Sequence, residues 1–246
     1  LASLKGKSIL SKWFESGTPT YLINMLKNYD FPPIDMDNYM AVSHDFDVPM
    51  EGMTSPIPFF YHSGYLTIKR YDNELGLYVL GYPNKEVSEG LSRALFPMYL
   101  NVNASKSSEY CKKLRIAIIR DDMEEAMQVL RSYLSFIPYN LLIDKDKEKS
   151  YQLALFVIFN SLGFDIATEV MQSQGRADII IKNRKSVIII ELKVDGSSAQ
   201  ALKQIEDKNY ALPYLKDGRK IYKIGANIDS ETRTLRDWEI VFFEDK

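Results

Sequence analysis

The chain has 246 residues, 46% of them hydrophobic, and a formal net charge of −2; this is material for one large domain or two modest ones. A single cysteine, Cys111, excludes an internal disulfide and suits a reducing compartment, so a cytoplasmic location is expected. No apolar run approaches the roughly 20 residues that span a bilayer, no signal-peptide pattern opens the chain, and the acidic balance lacks the basic footprint usual in nucleic-acid binders.

Near the start, Gly6-Lys7-Ser8 has the end of a phosphate-binding loop, but the loop's first glycine would fall on Leu1 and no strand precedes it. The expected reading is a helix start. Helical turns are expected around Lys12 and over 20–28, followed by a loop marked by Phe31-Pro32-Pro33. A helix near 57–62 leads into a hairpin of 65–69 and 77–81, joined through Asp72-Asn73-Glu74-Leu75-Gly76. Helices followed by such a hairpin predict a mainly helical, winged-helix-like region over 1–95. Residues 109–133 read as helical with an acidic break at Asp121-Asp122, within a connector over 96–143. Ile137-Pro138-Tyr139 and the charged run 144–149 mark entry to a last domain over 144–246.

That domain opens with a buried helix over 151–162 (YQLALFVIFNSL), stopped by Gly163. A strand is expected over 164–171. Two almost wholly aliphatic strands follow, 177–181 (ADIII) and 187–194 (VIIIELKV), separated by the polar turn Lys182-Asn183-Arg184-Lys185-Ser186. An amphipathic helix over 197–215 places Ala201, Leu202, Ile205 and Leu212 on its apolar face, and short strands are expected over 220–228 and 238–243.

The charges inside the aliphatic strands need a physical account. Asp178, Glu191 and Lys193 cost several kcal/mol each to bury unless paired or bound to a metal. A turn centred between Arg184 and Lys185 sets Asp178 opposite Glu191, with β-carbons about 4.5–5.5 Å apart. Alternation then brings Lys193 to the face of Glu191. One ammonium leaves the second carboxylate uncompensated, and a divalent cation with oxygen ligands such as Mg²⁺ is the usual solution. A structural ion pair of these acids with Lys193 or Arg176 is the alternative. A preceding turn centred on Ser173 and Gln174 would set Glu169 opposite Asp178, as a third acid near the metal or as a sheet-edge glutamate bonded to Arg176.

The pattern Gly175-Arg176-Ala177-Asp178 followed by Glu191-Leu192-Lys193 resembles the active site of the PD-(D/E)XK nuclease superfamily, and the order α-β-β-β-α-β resembles its restriction-endonuclease-like core. The expected class is therefore α/β of the α+β kind. Residues from about 144 onward look like the nuclease-type domain at the C-terminus of bacterial AAA-ATPase-like proteins. On that resemblance Glu148 matches an acid at the start of the first helix, Asp178 the G-R-x-D acid, and Glu191 with Lys193 the E-L-K pair. Gln204 and Tyr210 match a Q-(x)5-Y pattern, and Glu169 a glutamate before the G-R-x-D segment. Upstream, Trp13-Phe14-Glu15-Ser16-Gly17-Thr18-Pro19-Thr20, Ser63-Gly64-Tyr65-Leu66-Thr67-Ile68 and Gly81-Tyr82-Pro83-Asn84-Lys85-Glu86-Val87 look like the segment after the ATPase core in the same proteins.

The resemblance implies metal-assisted hydrolysis of DNA phosphodiester bonds. Asp178, Glu191 and the Leu192 carbonyl would hold Mg²⁺ (or Mn²⁺), Lys193 would orient water or stabilise transition-state charge, and Glu148 would add a ligand or base. Gln204, Tyr210, Arg176 and Glu169 would support the site or contact substrate. Because the chain starts at Leu1 without Met, it is expected to be a fragment, or a protein without the ATPase half its relatives carry; the implied partners are DNA and an upstream ATPase module, with no membrane. Basic groups that could track phosphates are Lys112, Lys113 and Arg115, the turn cations Lys182, Arg184 and Lys185, and Lys216, Arg219, Lys220 and Lys223. Ordinary solvated faces account for them as well. The other reading is an inactive module that keeps the nuclease fold to bind DNA or protein. Two histidines far from these acids, and no Cys/His spacing, give no sign of zinc or of nucleophilic catalysis.

Overall fold

The computed structural model describes residues 20–29, 31, 36–49, 53–100, 104–136 and 147–243. The Gly6-Lys7-Ser8 segment, the turns around Lys12, the motif over 13–19, Pro32-Pro33 and the entry segment over 137–146 lie outside the described residues. The chain divides into two compact units, Leu1–Leu95 and Phe96–Lys246.

The first unit contains α1 (Thr20–Asn28), β1 (Tyr39–Ala41), α2 (Ser43–Phe46), α3 (Ile57–His62), β2 (Thr67–Asp72) and β3 (Leu77–Gly81); α4 (Lys85–Leu100) follows. β2 and β3 form the expected hairpin. Asp72 Oδ1 accepts from the amides of Glu74 and Leu75, each at 3.1 Å, and Gly76 sits at φ +67°, where a β-carbon would be strained. β1 pairs with the other edge of β3 to give the antiparallel order β1-β3-β2. Met36, Ile57, Phe60 and, on β3 itself, Leu80 are fully buried in this unit.

The second unit runs α5 (Ala104–Ile119), α6 (Met123–Leu134), α7 (Lys147–Ser161), β4 (Asp165–Gln172), β5 (Gly175–Lys182), β6 (Ser186–Val194), α8 (Ser198–Asp207), β7 (Lys220–Asp229) and β8 (Thr234–Phe243). The acidic break between α5 and α6 falls where expected. Asp121 takes φ +61°, and Asp122 caps α6 by accepting from the Glu125 amide at 3.0 Å. The strands form one sheet in the order β4-β5-β6-β7-β8, antiparallel except for the parallel β6–β7 pair. β5 and β6 are inner strands with helices packed on them, which is why their aliphatic runs are continuous rather than alternating.

The helix expected over 197–215 ends early, at Asp207. Asn209 adopts φ +51°, which α-helix does not tolerate, and a separate 3₁₀ turn over Leu212–Tyr214 carries Pro213, which has no N–H to donate. Leu212 is consequently 57% exposed instead of continuing the apolar face, while Tyr210 and Ala211 turn into a core with Ala177, Ile180, Val187, Ile189, Ile205 and Ile221.

α8 lies directly on the backbone of β7. A β-carbon at Gly225 would stand 2.3 Å from the Ser198 carbonyl oxygen and 2.5 Å from the Leu202 nitrogen. Gly225 pairs with Glu191 on β6, so the absent side chain is what lets the helix reach the strand residues that follow. The start of α8 is also tied down: the Gly196 amide donates to Asn227 Oδ1 at 3.0 Å, Asn227 Nδ2 to Asp237 Oδ2 at 3.0 Å, and the Ser198 amide to Asp237 Oδ1 at 3.1 Å. Gly225→Ala should therefore force α8 away from the sheet and lower stability by about 1–3 kcal/mol, seen as a drop of roughly 2–4 °C in melting temperature per kcal/mol. An unchanged melting curve would mean that the contact is not tight.

Candidate active site

The β5–β6 hairpin is closed by Asn183. Its side-chain oxygen accepts from the amides of Lys185 at 2.7 Å and Ser186 at 2.8 Å, and its own amide donates to the Ser186 carbonyl at 2.9 Å. This centres the turn between Arg184 and Lys185. The register follows as expected from Lys182–Val187 through Ile181–Ile188 and Ile180–Ile189 to Ile179–Ile190.

There the ladder stops, one pair short of the expected Asp178–Glu191 pairing. Two ionised carboxylates placed directly across a buried ladder would repel, and each instead turns to the other strand's backbone. Asp178 Oδ2 accepts from the Leu192 amide at 2.8 Å, and Glu191 Oε2 stands 3.5 Å from the Asp178 amide. Side-chain oxygens thus take the place of ladder carbonyls.

Both acids are buried, Asp178 at 6% exposure and Glu191 at 0%. Lys193 Nζ lies 3.3 Å from Glu191 Oε1 and 2.9 Å from the Leu192 carbonyl oxygen. Gln204, half-buried on α8, donates from Nε2 to Glu191 Oε1. Glu148 lies on the first turn of α7 and adds its charge to the field at Asp178; exposed Arg176 acts in the opposite sense. Tyr210 is 1% exposed and does not enter the cluster; its hydroxyl donates to the Arg176 carbonyl at 2.7 Å, fixing the backbone that leads into Asp178. The β4–β5 pairs on either side, Thr168–Ile179 and Val170–Ala177, follow the register expected for Glu169, whose side chain lies outside the described residues.

Sequence reasoning missed Gln152. It stands one helical turn after Glu148 on α7, is 4% exposed, and donates from Nε2 to Asp178 Oδ1 at 3.0 Å. The signal was present: α7 is otherwise lined here by buried Tyr151, Ala154, Leu155, Phe156, Val157 and Ile158, and an amide in such a helix needs a partner. Each carboxylate is therefore held by a glutamine from a different helix.

Burial pushes the Asp178 carboxyl up to about 6; the Leu192 amide, Lys193 and Arg176 oppose the rise, and Glu148 adds to it. Burial likewise pushes Glu191 up to about 7, reinforced by the charge of Asp178 and opposed by Lys193. Two acids with raised pKa beside a single ammonium leave uncompensated negative charge, and the Gln152 Oε1 atom is buried with no partner. Carboxylate and carbonyl oxygens are the donors that hard cations such as Mg²⁺ and Mn²⁺ take. The residues fit such an ion, although among the described residues no group of three or more His, Cys, Asp and Glu side chains forms a ready cage.

Residues 146–238 match the family model described as PD-(D/E)XK nuclease superfamily, and the mixed α+β unit that holds the site is consistent with that fold. The chain is also similar to "Uncharacterized protein in vnfD 5'region" of Azotobacter chroococcum mcd 1, with 29% identity over 232 residues, 91% of this chain and 44% of that protein. The chain thus spans less than half the length of the curated relative it matches. No helix among the described residues is long and apolar enough to cross a membrane.

The raised pKa values make stability depend on pH. The folded state holds protons that the unfolded chain has released, so without divalent cations these two acids weaken the fold progressively as pH rises from about 4 through about 7. In EDTA, Glu191→Gln should melt close to the parent at pH 4.5 and above it at pH 8, by an amount on the order of 1–3 kcal/mol. A gap between the two melting curves that does not widen with pH would show that Glu191 is not held uncomfortably charged.

Proposed function

We propose that this protein is a metal-dependent nuclease that hydrolyses DNA phosphodiester bonds at the site built from Asp178, Glu191 and Lys193. The observation that carries the reading is the pair of buried carboxylates on adjacent inner strands with an ammonium two residues beyond the second. The match of residues 146–238 to the nuclease superfamily agrees with it.

On this reading Asp178, Glu191 and the Leu192 carbonyl hold one or two Mg²⁺ or Mn²⁺ ions. A bound cation of this kind lowers the pKa of a coordinated water and offsets charge on a phosphoryl group. Lys193, already within reach of Glu191 and the Leu192 carbonyl, orients the attacking water or meets the negative charge that builds on the phosphate. Water oxygen bonds to phosphorus as the phosphorus–oxygen ester bond breaks, and the departing oxygen takes up a proton. Gln204 fixes the Glu191 carboxylate, Tyr210 fixes the Arg176 backbone, and the exposed Arg176 side chain beside Asp178 would meet substrate phosphate. Glu148 contributes a further ligand or base from outside the pair, and Glu169 is assigned a supporting role.

The wider assignment is part of the same reading. The likeness of the segments over 13–20, 63–68 and 81–87 to AAA-ATPase-like proteins supports a link to an AAA-type ATPase module in the cytoplasm, and the similar protein extends well beyond the aligned part. The helices and the β2–β3 hairpin of the first unit support a winged-helix-like element. One observation favours a second function, a nuclease-fold module that binds DNA or protein without cutting: Lys193 already engages two of the oxygens assigned to the cation.

Cleavage separates the two. Plasmid and single-stranded DNA should be cut with Mg²⁺ or Mn²⁺ and not in EDTA, and Asp178→Ala and Lys193→Ala should each lose at least about 100-fold in rate. A parent that never cuts, or variants that cut as well as the parent, would leave the binding module as the better account.

A further inference from the structure

Gln152 makes one hydrogen bond to the site and leaves one buried atom without a partner. Its amide has two ends. Nε2 donates to Asp178 Oδ1 at 3.0 Å, while the other carboxylate oxygen takes the Leu192 amide at 2.8 Å, so Asp178 is fixed at both oxygens. Oε1 is buried and has no partner; besides Asp121 Oδ1, it is the one such side-chain atom among the described residues. The amide does not escape this by turning over, because an ionised Asp178 accepts only from the NH₂ end. A buried carbonyl left unpaired costs stability, and a methionine or leucine would fill this helix position without that cost. The arrangement makes sense where a hydrogen donor reaches Oε1 from the site itself.

Gln204 provides the contrast. It binds Glu191 in the same manner from α8 but is only half-buried, and its oxygen is not one of the buried atoms left without a partner. Glu148, one turn before Gln152 on α7, brings a further acid to the same side of Asp178. The orphaned acceptor therefore stands where the negative charge is concentrated, and where a hydrated cation would present water hydrogens. Mg²⁺ in particular keeps several of its waters when bound by one or two carboxylates, and such polarised waters are strong donors.

We propose that Gln152 is a positioning residue of the cation site, its Nε2 locking the Asp178 carboxylate and its Oε1 accepting a hydrogen from a water in the cation's hydration shell. This rests on the reading of Asp178 and Glu191 as ligands. Groups that orient ligands and bound water from behind alter metal affinity by about 10–100-fold.

Mn²⁺ titration of the full chain, followed calorimetrically and by the free Mn²⁺ resonance signal, tests it without any substrate. Gln152→Met, similar in size but with neither end of the amide, should raise the Kd for Mn²⁺ by about 10–100-fold. Gln152→Glu keeps an oxygen acceptor at the Oε1 position but gives up the Nε2 donor to Asp178, so its Kd should lie between those of the parent and Gln152→Met. A purely structural role predicts the reverse: a lower melting temperature in EDTA for Gln152→Met and an unchanged Kd. Parent affinity in Gln152→Met, or weakening of Gln152→Glu to the same degree, would overturn the proposal while leaving the ligand assignment intact. If Gln152→Met does not fold, the comparison of Gln152→Glu with the parent decides. A parent that binds no Mn²⁺ removes the ligand assignment and this proposal together.

Discussion

The second unit is organised around the cost of keeping two carboxylates inside its sheet. Asp178 and Glu191 interrupt runs of isoleucine and valine on inner strands, where an uncompensated charge is costly. Everything nearby works against that cost. The β5–β6 ladder gives up its pairing past Ile179–Ile190 and offers the Leu192 and Asp178 amides to the two side chains. Lys193 supplies the one ammonium, and Gln152 and Gln204 supply amide donors from either helix. Compensation stays incomplete, because both carboxyls remain shifted upward. Buried ion pairs kept at such cost are poor devices for stability, which directs attention to chemistry.

The helices hold their positions for reasons rooted in residues remote from the acids. Gly225 removes a β-carbon that would collide with the backbone of α8, and Asn227 with Asp237 anchors the loop into that helix. Asn209 at positive φ then ends α8, and Tyr210 swings into the core, where its hydroxyl reaches the Arg176 carbonyl. A side chain read from sequence as supporting the site thus acts by fixing the strand that delivers Asp178.

Much of this was legible in the chain. The aliphatic runs and the polar turn centred between Arg184 and Lys185 made the hairpin and its register legible as far as Ile179–Ile190, and the glycine after α7 marked the end of that helix, because local chemistry determines them. The break at Asp121-Asp122 was legible for the same reason. α4 was not, since Gly90 and Pro97 lie within its span and obscure its period. β1 was not, because three residues carry no periodicity and its partner β3 lies nearly forty positions on. The early end of α8 was hidden by apolar residues that continue the helical spacing to Leu212. Gln152 escaped because its role is tertiary: only the fold brings α7 against Asp178, and only burial reveals that half of its amide has no partner.

The overall charge takes on a different meaning once the site is in view. A net charge of −2 argues against a protein that holds DNA by a broad basic surface. Several cations are also already occupied, Arg219 with Asp217, Lys223 with Glu206 and Lys113 with Glu109. A cluster with Asp178, Glu191 and Glu148 against Lys193 would repel a phosphate, and would do so most strongly above pH 7, where both buried acids are ionised. A divalent ion reverses the sign at the point where a phosphodiester must sit. On the proposed reading, cation and substrate are then coupled: whatever strengthens the hold on the ion, including the amide of Gln152, also determines whether a polyanion can approach at all.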